Sequence, residues 1–407
     1  MARLVAVLLL VAACGDDDNP APSDSGTDVT RGFDSGTPDI VIGEVFETVG
    51  RLSIADANSG QVAIFDLDTA AEVNRYTLEA PATLSSALSR QITAVVAAQP
   101  SADRFDVFGV GVWVWDHVDH FHVYKEPSAF QIDPLLAMTE GLSEVDKSGG
   151  WIVAFDQETG TVRALFERSI GNLRTDIERT RAPVFRGYDT TPHEGAAVVL
   201  RGHLFVTRAD GGLEVLEPGT SEFGEPTPLE IPCEGGSAAA SAGAHAVFAC
   251  TDGFVIATWD EGTEEFAYQR VEVEGAQAAW VRGDDDSTTF VAGDESAVFL
   301  ISADGNVVRQ DVAYDAFEFD RDNRWLMAMR GSSLVELDSE SGEEVRELEV
   351  FAGPMTLGDG FAYIGGESAV SEVNLETWEV SRTFDLDFVP GSLVVTAMWP
   401  GGQPVMH

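Results

Sequence analysis

The sequence predicts an all-β protein, a single β-propeller of seven or eight blades, with eight favoured by the number of repeating units. Three observations carry this. Short apolar or alternating runs, separated by Gly, Asp, Asn and Ser turns, continue from about residue 46 to the C-terminus. No stretch shows the spacing of an amphipathic helix. The runs recur in units of about 35 to 50 residues, and about 360 residues accommodate seven or eight of them. A single large β-sandwich is the weaker alternative, because one core rarely extends over so many residues.

Taken in order, the elements share a grammar of strand, turn, strand, tight turn and strand. Residues 52–55 lead into 62–67, residues 152–155 into 162–166, and residues 361–364 into 369–375. The tight turn has the form Asp-x-x-Thr/Ser-Gly. It reads Asp66-Leu67-Asp68-Thr69, Asp156-Gln157-Glu158-Thr159-Gly160 and Asp338-Ser339-Glu340-Ser341-Gly342. Later units begin near Ala246, Thr289, Trp325 and Phe361. The last apolar run, 392–397, is placed to complete the first blade and close the ring. There is no Trp-Asp repeat signature, no Asp-x-Asp-x-Asp-Gly calcium loop and no Cys-x-x-Cys-His for a covalent haem.

Residues 1–13 read as a secretory signal, with Arg3, an apolar stretch from Leu4 and small residues at Ala12-Ala13. Cys14 follows directly and resembles the lipobox cysteine of bacterial lipoproteins, which is diacylated and becomes the N-terminus. An ordinary secretory signal with an incidental cysteine is the plainer alternative. Residues 14–45 contain Asp16-Asp17-Asp18, Pro20, Pro22 and a twice-used Asp-Ser-Gly-Thr, so they form an acidic, disordered tether. It holds the body, residues 46–407, about 30 Å from the lipid. The location expected is the bacterial cell envelope, lipid-anchored and facing the periplasm or the surface. Gly15 after the cysteine favours the outer membrane, and the lipid is the sole membrane contact expected.

The chain has three cysteines, and lipidation of Cys14 leaves Cys233 and Cys250 to pair in an oxidising compartment. A stabilising disulfide is the preferred reading, since no Cys-x-x-Cys marks a redox pair. The formal charge of −45, from 69 acidic and 24 basic residues, excludes nucleic acid as a partner and is permissive for metal capture.

Three of the seven histidines fall within six residues, in Asp116-His117-Val118-Asp119-His120-Phe121-His122. Imidazole and carboxylate are ligands that zinc accepts. On a strand starting at His120, His120 and His122 face the same way and can chelate one ion. His117 then joins from a loop, and Asp116 or Asp119 acts as a ligand or orients a liganding ring. The plain alternative is a solvated strand end that binds nothing. His193, in the turn Thr191-Pro192-His193-Glu194-Gly195 before a strand, is the remote histidine best placed to join, because propellers gather distant residues in their loops. His203 and His245 read as packing or edge residues.

Three segments together resemble the AztD-type zinc metallochaperones, periplasmic β-propellers that accompany zinc-uptake transporters. Asp116-His117-Val118-Asp119-His120-Phe121-His122 is similar to that family's Asp-His-x-Asp-His-x-His. Pro192-His193-Glu194-Gly195-Ala196-Ala197-Val198 is similar to its Pro-His-His-Gly-Ala-Ala-Val. Cys233 with the strand around Cys250 is similar to its cysteine pair. Order and spacing fit over most of residues 50 to 385. The departures are Glu194 in place of a second histidine, the loss of a histidine and glutamate after Cys233, and the lipid anchor. The resemblance implies reversible zinc binding by His117, His120, His122 and His193, assisted by Asp119 or Glu194. It further implies buffering or delivery to a zinc-uptake transporter or its binding protein. No catalysis is expected, and a monomer is. The competing reading is an envelope interaction scaffold with a degenerate metal site.

Overall fold

A computed structural model describes residues 48–88, 92–102, 104–116, 121–125, 130–137, 142–148, 150–167, 185–219, 222–284, 287–320, 325–358 and 360–396. The expected signal segment, Cys14 and the tether lie outside them. Among the described residues every element except a 3₁₀ turn at Pro100–Ala102 is a strand. The strands form eight antiparallel sheets in chain order, seven of four strands and one of five, which settles the blade number at eight.

The ring closes through the last strand. Pro390–Thr396 pairs with Arg51–Asp56, so blade one takes its inner strand from the C-terminal end and its other three from the N-terminal end. Eight hydrophobic clusters follow, each shared by two consecutive blades. Leu52 and Phe65 of blade one meet Tyr363 and Phe384 of blade eight, and Leu337 and Val335 of blade seven meet Val291 and Leu300 of blade six. Every sheet is thus covered on both faces. Strands in the middle of a blade are accordingly buried along their whole length, as Arg51–Asp56 and Trp151–Asp156 are. Outermost strands such as Glu344–Glu349 alternate exposed with half-buried residues.

The starts near Ala246, Thr289, Trp325 and Phe361 are corrected by one strand. They mark the second strands of blades five to eight, and the inner strands precede them as Ala238–Ala242, Trp280–Arg282, Ala316–Phe319 and Met355–Gly358. Inner strands converge on the axis and touch one another around it, so they are short, three to five residues here. Runs that short carry little alternation to read.

The tight turn has one geometry at five places. In each, the amide of the fifth residue donates to the carbonyl of the first: Ala70 to Asp66, Gly160 to Asp156, Glu264 to Asp260, Gly342 to Asp338 and Trp378 to Asn374, all at 2.8 Å. The first side chain accepts from the amides of the third and fourth residues, as Asp156 does from Glu158 at 2.9 Å and Thr159 at 3.0 Å. The fifth residue has positive φ, between 55° and 72°. The turn's place in the blade is not constant. It joins the second and third strands in blade three but the third and fourth in blades one, five, seven and eight.

Candidate functional site

Strand direction divides the candidate residues between the two ends of the ring. Each inner strand is entered from one end, here called the entry face, which also carries the turns between second and third strands. The opposite face carries the turns between first and second and between third and fourth strands.

The third strand of blade two, Arg104–Asp116, is 13 residues long and ends at the first residue of the histidine-rich segment. Its first half, through Gly109, pairs with Phe130–Ala137 and completes the blade. Its second half pairs instead with Phe121–Lys125, which puts Trp115 opposite His122 and Asp116 opposite Phe121. The pairing with the second strand, Ile92–Gln99, slips between Ala94 and Ile92, and Gly111 in that slip has φ 80°. Glycine adopts that conformation at little cost, so the strand bulges there, pairs once more with the second strand at Trp113, and then runs on as a two-stranded ribbon. The ribbon departs from the opposite face. His122 lies on its second strand as the alternation predicts. His117, Asp119 and His120 lie outside the described residues.

His193 and Glu194 sit on the entry face, in the connection from Phe185–Asp189 of blade three to Ala197–Leu200 of blade four. Strand direction therefore brings His193 together with neither His122 nor the ends of the ribbon. His193 Nδ1 lies 2.7 Å from the Thr191 carbonyl. A carbonyl only accepts, so Nδ1 carries the proton and Nε2 keeps a lone pair in the neutral ring. Nε2 lies 3.2 Å from the Thr207 hydroxyl, and the ring stands edge-on to Phe155 with centroids 5.3 Å apart. Thr207 accepts from the Ala196 amide at 2.8 Å and has two acceptors for its single proton, Nε2 and the Ala196 carbonyl, both at 3.2 Å. A ligand taking the Nε2 lone pair would leave Thr207 a partner. The ring is thus oriented for coordination in the way that carbonyl-fixed histidines are. Glu194 beside it is exposed.

Two of the three segments meet here. Cys233 and Cys250 form a disulfide, with Cα atoms 4.9 Å apart, between the connection entering blade five and that blade's second strand. Gly236 fits between it and Thr207. A Cβ on Gly236 would lie 2.9 Å from Thr207 Cγ2 and 3.1 Å from Cys233 Sγ, and one on Gly195 would lie 2.5 Å from His193 Nε2. Thr207 is therefore the hinge of the cluster. It ends an ordinary apolar strand, His203–Thr207, and nothing local in the sequence marks it.

The other described histidines are packing residues at strand starts. His203 pairs with Glu217 at 3.0 Å and stands edge-on to Phe266, and His245 bonds Thr258 at 3.0 Å. Among the described residues no three His, Cys, Asp or Glu side chains converge as a metal site would require.

No protein-family model matches the sequence, and a search of curated proteins finds no match either. Solved structures do match. The fold is similar to that of AztD from Citrobacter koseri in two structures, one of the apo protein. Each has a TM-score of 0.71 at 16% identity, and together they cover 86% and 85% of this chain and 98% and 97% of AztD. It is also similar to the dihydro-heme d1 dehydrogenase NirN, with a TM-score of 0.56 at 12% identity over 87% of this chain and 77% of NirN. At these identities the likeness is one of fold.

Proposed function

We propose that this protein is an exported, lipid-anchored propeller that binds zinc reversibly and buffers or delivers it in the cell envelope, without catalysing a reaction. The observation that carries the reading is the ribbon of blade two. Two paired strands, one ending at Asp116 and the other starting at Phe121, run out from a body that shares the AztD fold, and the sequence between them holds His117, Asp119 and His120. In this reading His117, His120 and His122 are the capturing ligands, with Asp119 assisting. His193, with Glu194, is a second and weaker place on the entry face and does not complete the first shell. The lipid on Cys14 keeps the protein at the membrane, and the tether raises its effective concentration near a zinc-uptake transporter or its binding protein.

Zinc titration of the purified protein tests this. Wild type is expected to bind at micromolar or tighter affinity, and His120→Ala and His122→Ala to lose most of it. His193→Ala should change it little. Binding should fall as pH drops through the histidine range, because liganding imidazoles must be deprotonated. Tight binding unchanged by both ribbon substitutions would overturn the assignment, and no binding at all would favour the scaffold reading.

A further inference from the structure

Acids outnumber bases 69 to 24 in this chain, so a counter-charge is near almost any arginine. Arg201 pairs with Glu261 at 2.7 Å and Arg309 with Asp311 at 2.8 Å, while Arg270 and Arg282 donate to backbone carbonyls. Among the described arginines Arg186 alone has neither an ion pair nor a hydrogen bond. It is the second residue of the outermost strand of blade three, Phe185–Asp189, at the end of the ring from which the ribbon departs. Its guanidinium carbon lies 4.8 Å from the centre of the Trp151 ring and 5.7 Å from that of Phe223 in blade four, and Trp151 packs on Phe166 at 4.8 Å. Its Nε is buried without a partner, and burial lowers its pKa with no charge opposing the shift.

Stacking on the rings holds the cation in place but does not neutralise it. An arginine keeps its proton, so this half-buried charge is left uncompensated within the protein. Such a group calls for an anion from outside. The two terminal nitrogens, which unlike Nε are not buried, form a planar fork that matches the two oxygens of a carboxylate. One positive charge, in a chain of net charge −45, balances one negative charge and not the nearly two of a phosphate monoester. We propose that Arg186 binds a carboxylate, carried by an acidic side chain of a protein partner or by a free acid. The site shares no residue with the zinc reading and stands without it.

Nitrogen-15 NMR of the full-length protein, with a chelator present to remove zinc, tests the proposal. The signals followed are the Arg186 Nε–H, assigned by its absence in Arg186→Lys, and the Trp151 indole N–H beside it. The probes are acetate, a capped Ala-Glu-Ala peptide with one carboxylate, and inorganic phosphate, with sodium chloride at equal ionic strength as the control. Acetate is expected to shift both signals saturably, with half-saturation on the order of tens of millimolar, as one charge-assisted pair supplies. Arg186→Lys, which keeps the charge and loses the fork, should weaken binding about five- to tenfold at the Trp151 signal. Arg186→Gln should abolish it, and Arg201→Gln, at the same end of the ring, should leave it unchanged. A peptide that binds more tightly than acetate points to a protein partner, and equal affinities point to a free acid. Failure of acetate to saturate, an equal response to chloride or phosphate, or undiminished binding in Arg186→Lys would overturn the proposal.

Discussion

Arg51 is 1% exposed, yet its guanidinium stays charged because Asp66 lies 2.9 Å away. Burial pulls its pKa down, and Asp66 and Asp68 push it back up. Asparagine at 66 would keep an oxygen for the turn amides but remove the carboxylate that lies 2.9 Å from the buried cation, leaving the charge of Asp68. Asp66→Asn is therefore expected to cost about 3 to 5 kcal/mol, read from the midpoint of urea denaturation. A second residue-scale effect comes from Tyr76, which stacks on Phe108 with centroids 4.5 Å apart. Burial pushes its phenol up to about 12, and those of Tyr268 and Tyr314 to about the same value. In the unfolded chain a phenol titrates near about 10. The unfolded state thus loses the proton first, so this contribution is complete below about pH 10 and is lost as pH rises through about 12. The denaturation midpoint should hold up to pH 10 and then fall, and Tyr76→Phe should flatten the fall.

The elements show which local signals were legible. The Asp-x-x-Thr/Ser-Gly turn reads directly because its geometry closes within five residues, with the first side chain capping two amides and the fifth residue at positive φ. The turn at Asp66 reads without a glycine, whereas those at Asp260 and Asn374 are not picked out by the pattern. Ala70, Glu264 and Trp378 hold the fifth position without glycine, at φ 58°, 55° and 59°. Such a conformation strains an L-residue by about 1 to 2 kcal/mol, which glycine relieves at the expense of some chain entropy. Ala70 is exposed and has nothing to lose in packing. Ala70→Gly is expected to stabilise the protein by about 0.5 to 1 kcal/mol, measured by the same denaturation. The ribbon of blade two is the opposite case. The strand character after His120 was readable from alternation, but that Arg104–Asp116 serves two partners in succession was not, because the choice of partner depends on residues 130–137.

At the scale of the whole molecule, stability rests on closure. Pro390–Thr396 covers one edge of Arg51–Asp56, and Arg382 of blade eight donates to the Leu67 carbonyl of blade one at 2.7 Å across the same seam. Truncation after Phe388 would expose a fully buried strand edge and remove Leu393 and Val394 from the cores on either side of blade one. Such a chain is expected to lose its cooperative unfolding transition and to aggregate, which light scattering during a thermal ramp would report. Retention of a single sharp transition would show that the other seven blades hold without the closing strand.

The amino-acid sequence alone determined the all-β class, the turns, the cysteine pair and the density of histidines around residue 120, since each is written in a few neighbouring residues. Only the tertiary structure decided that each inner strand precedes the run the sequence marks as a unit's start, that Thr207 joins His193 to the disulfide, and that His193 and the ribbon strand carrying His122 belong to opposite ends of the ring. The face on which a residue emerges depends on counting strand reversals from the closing strand, and on one strand that changes partners. That is a property of the whole chain and not of any window within it.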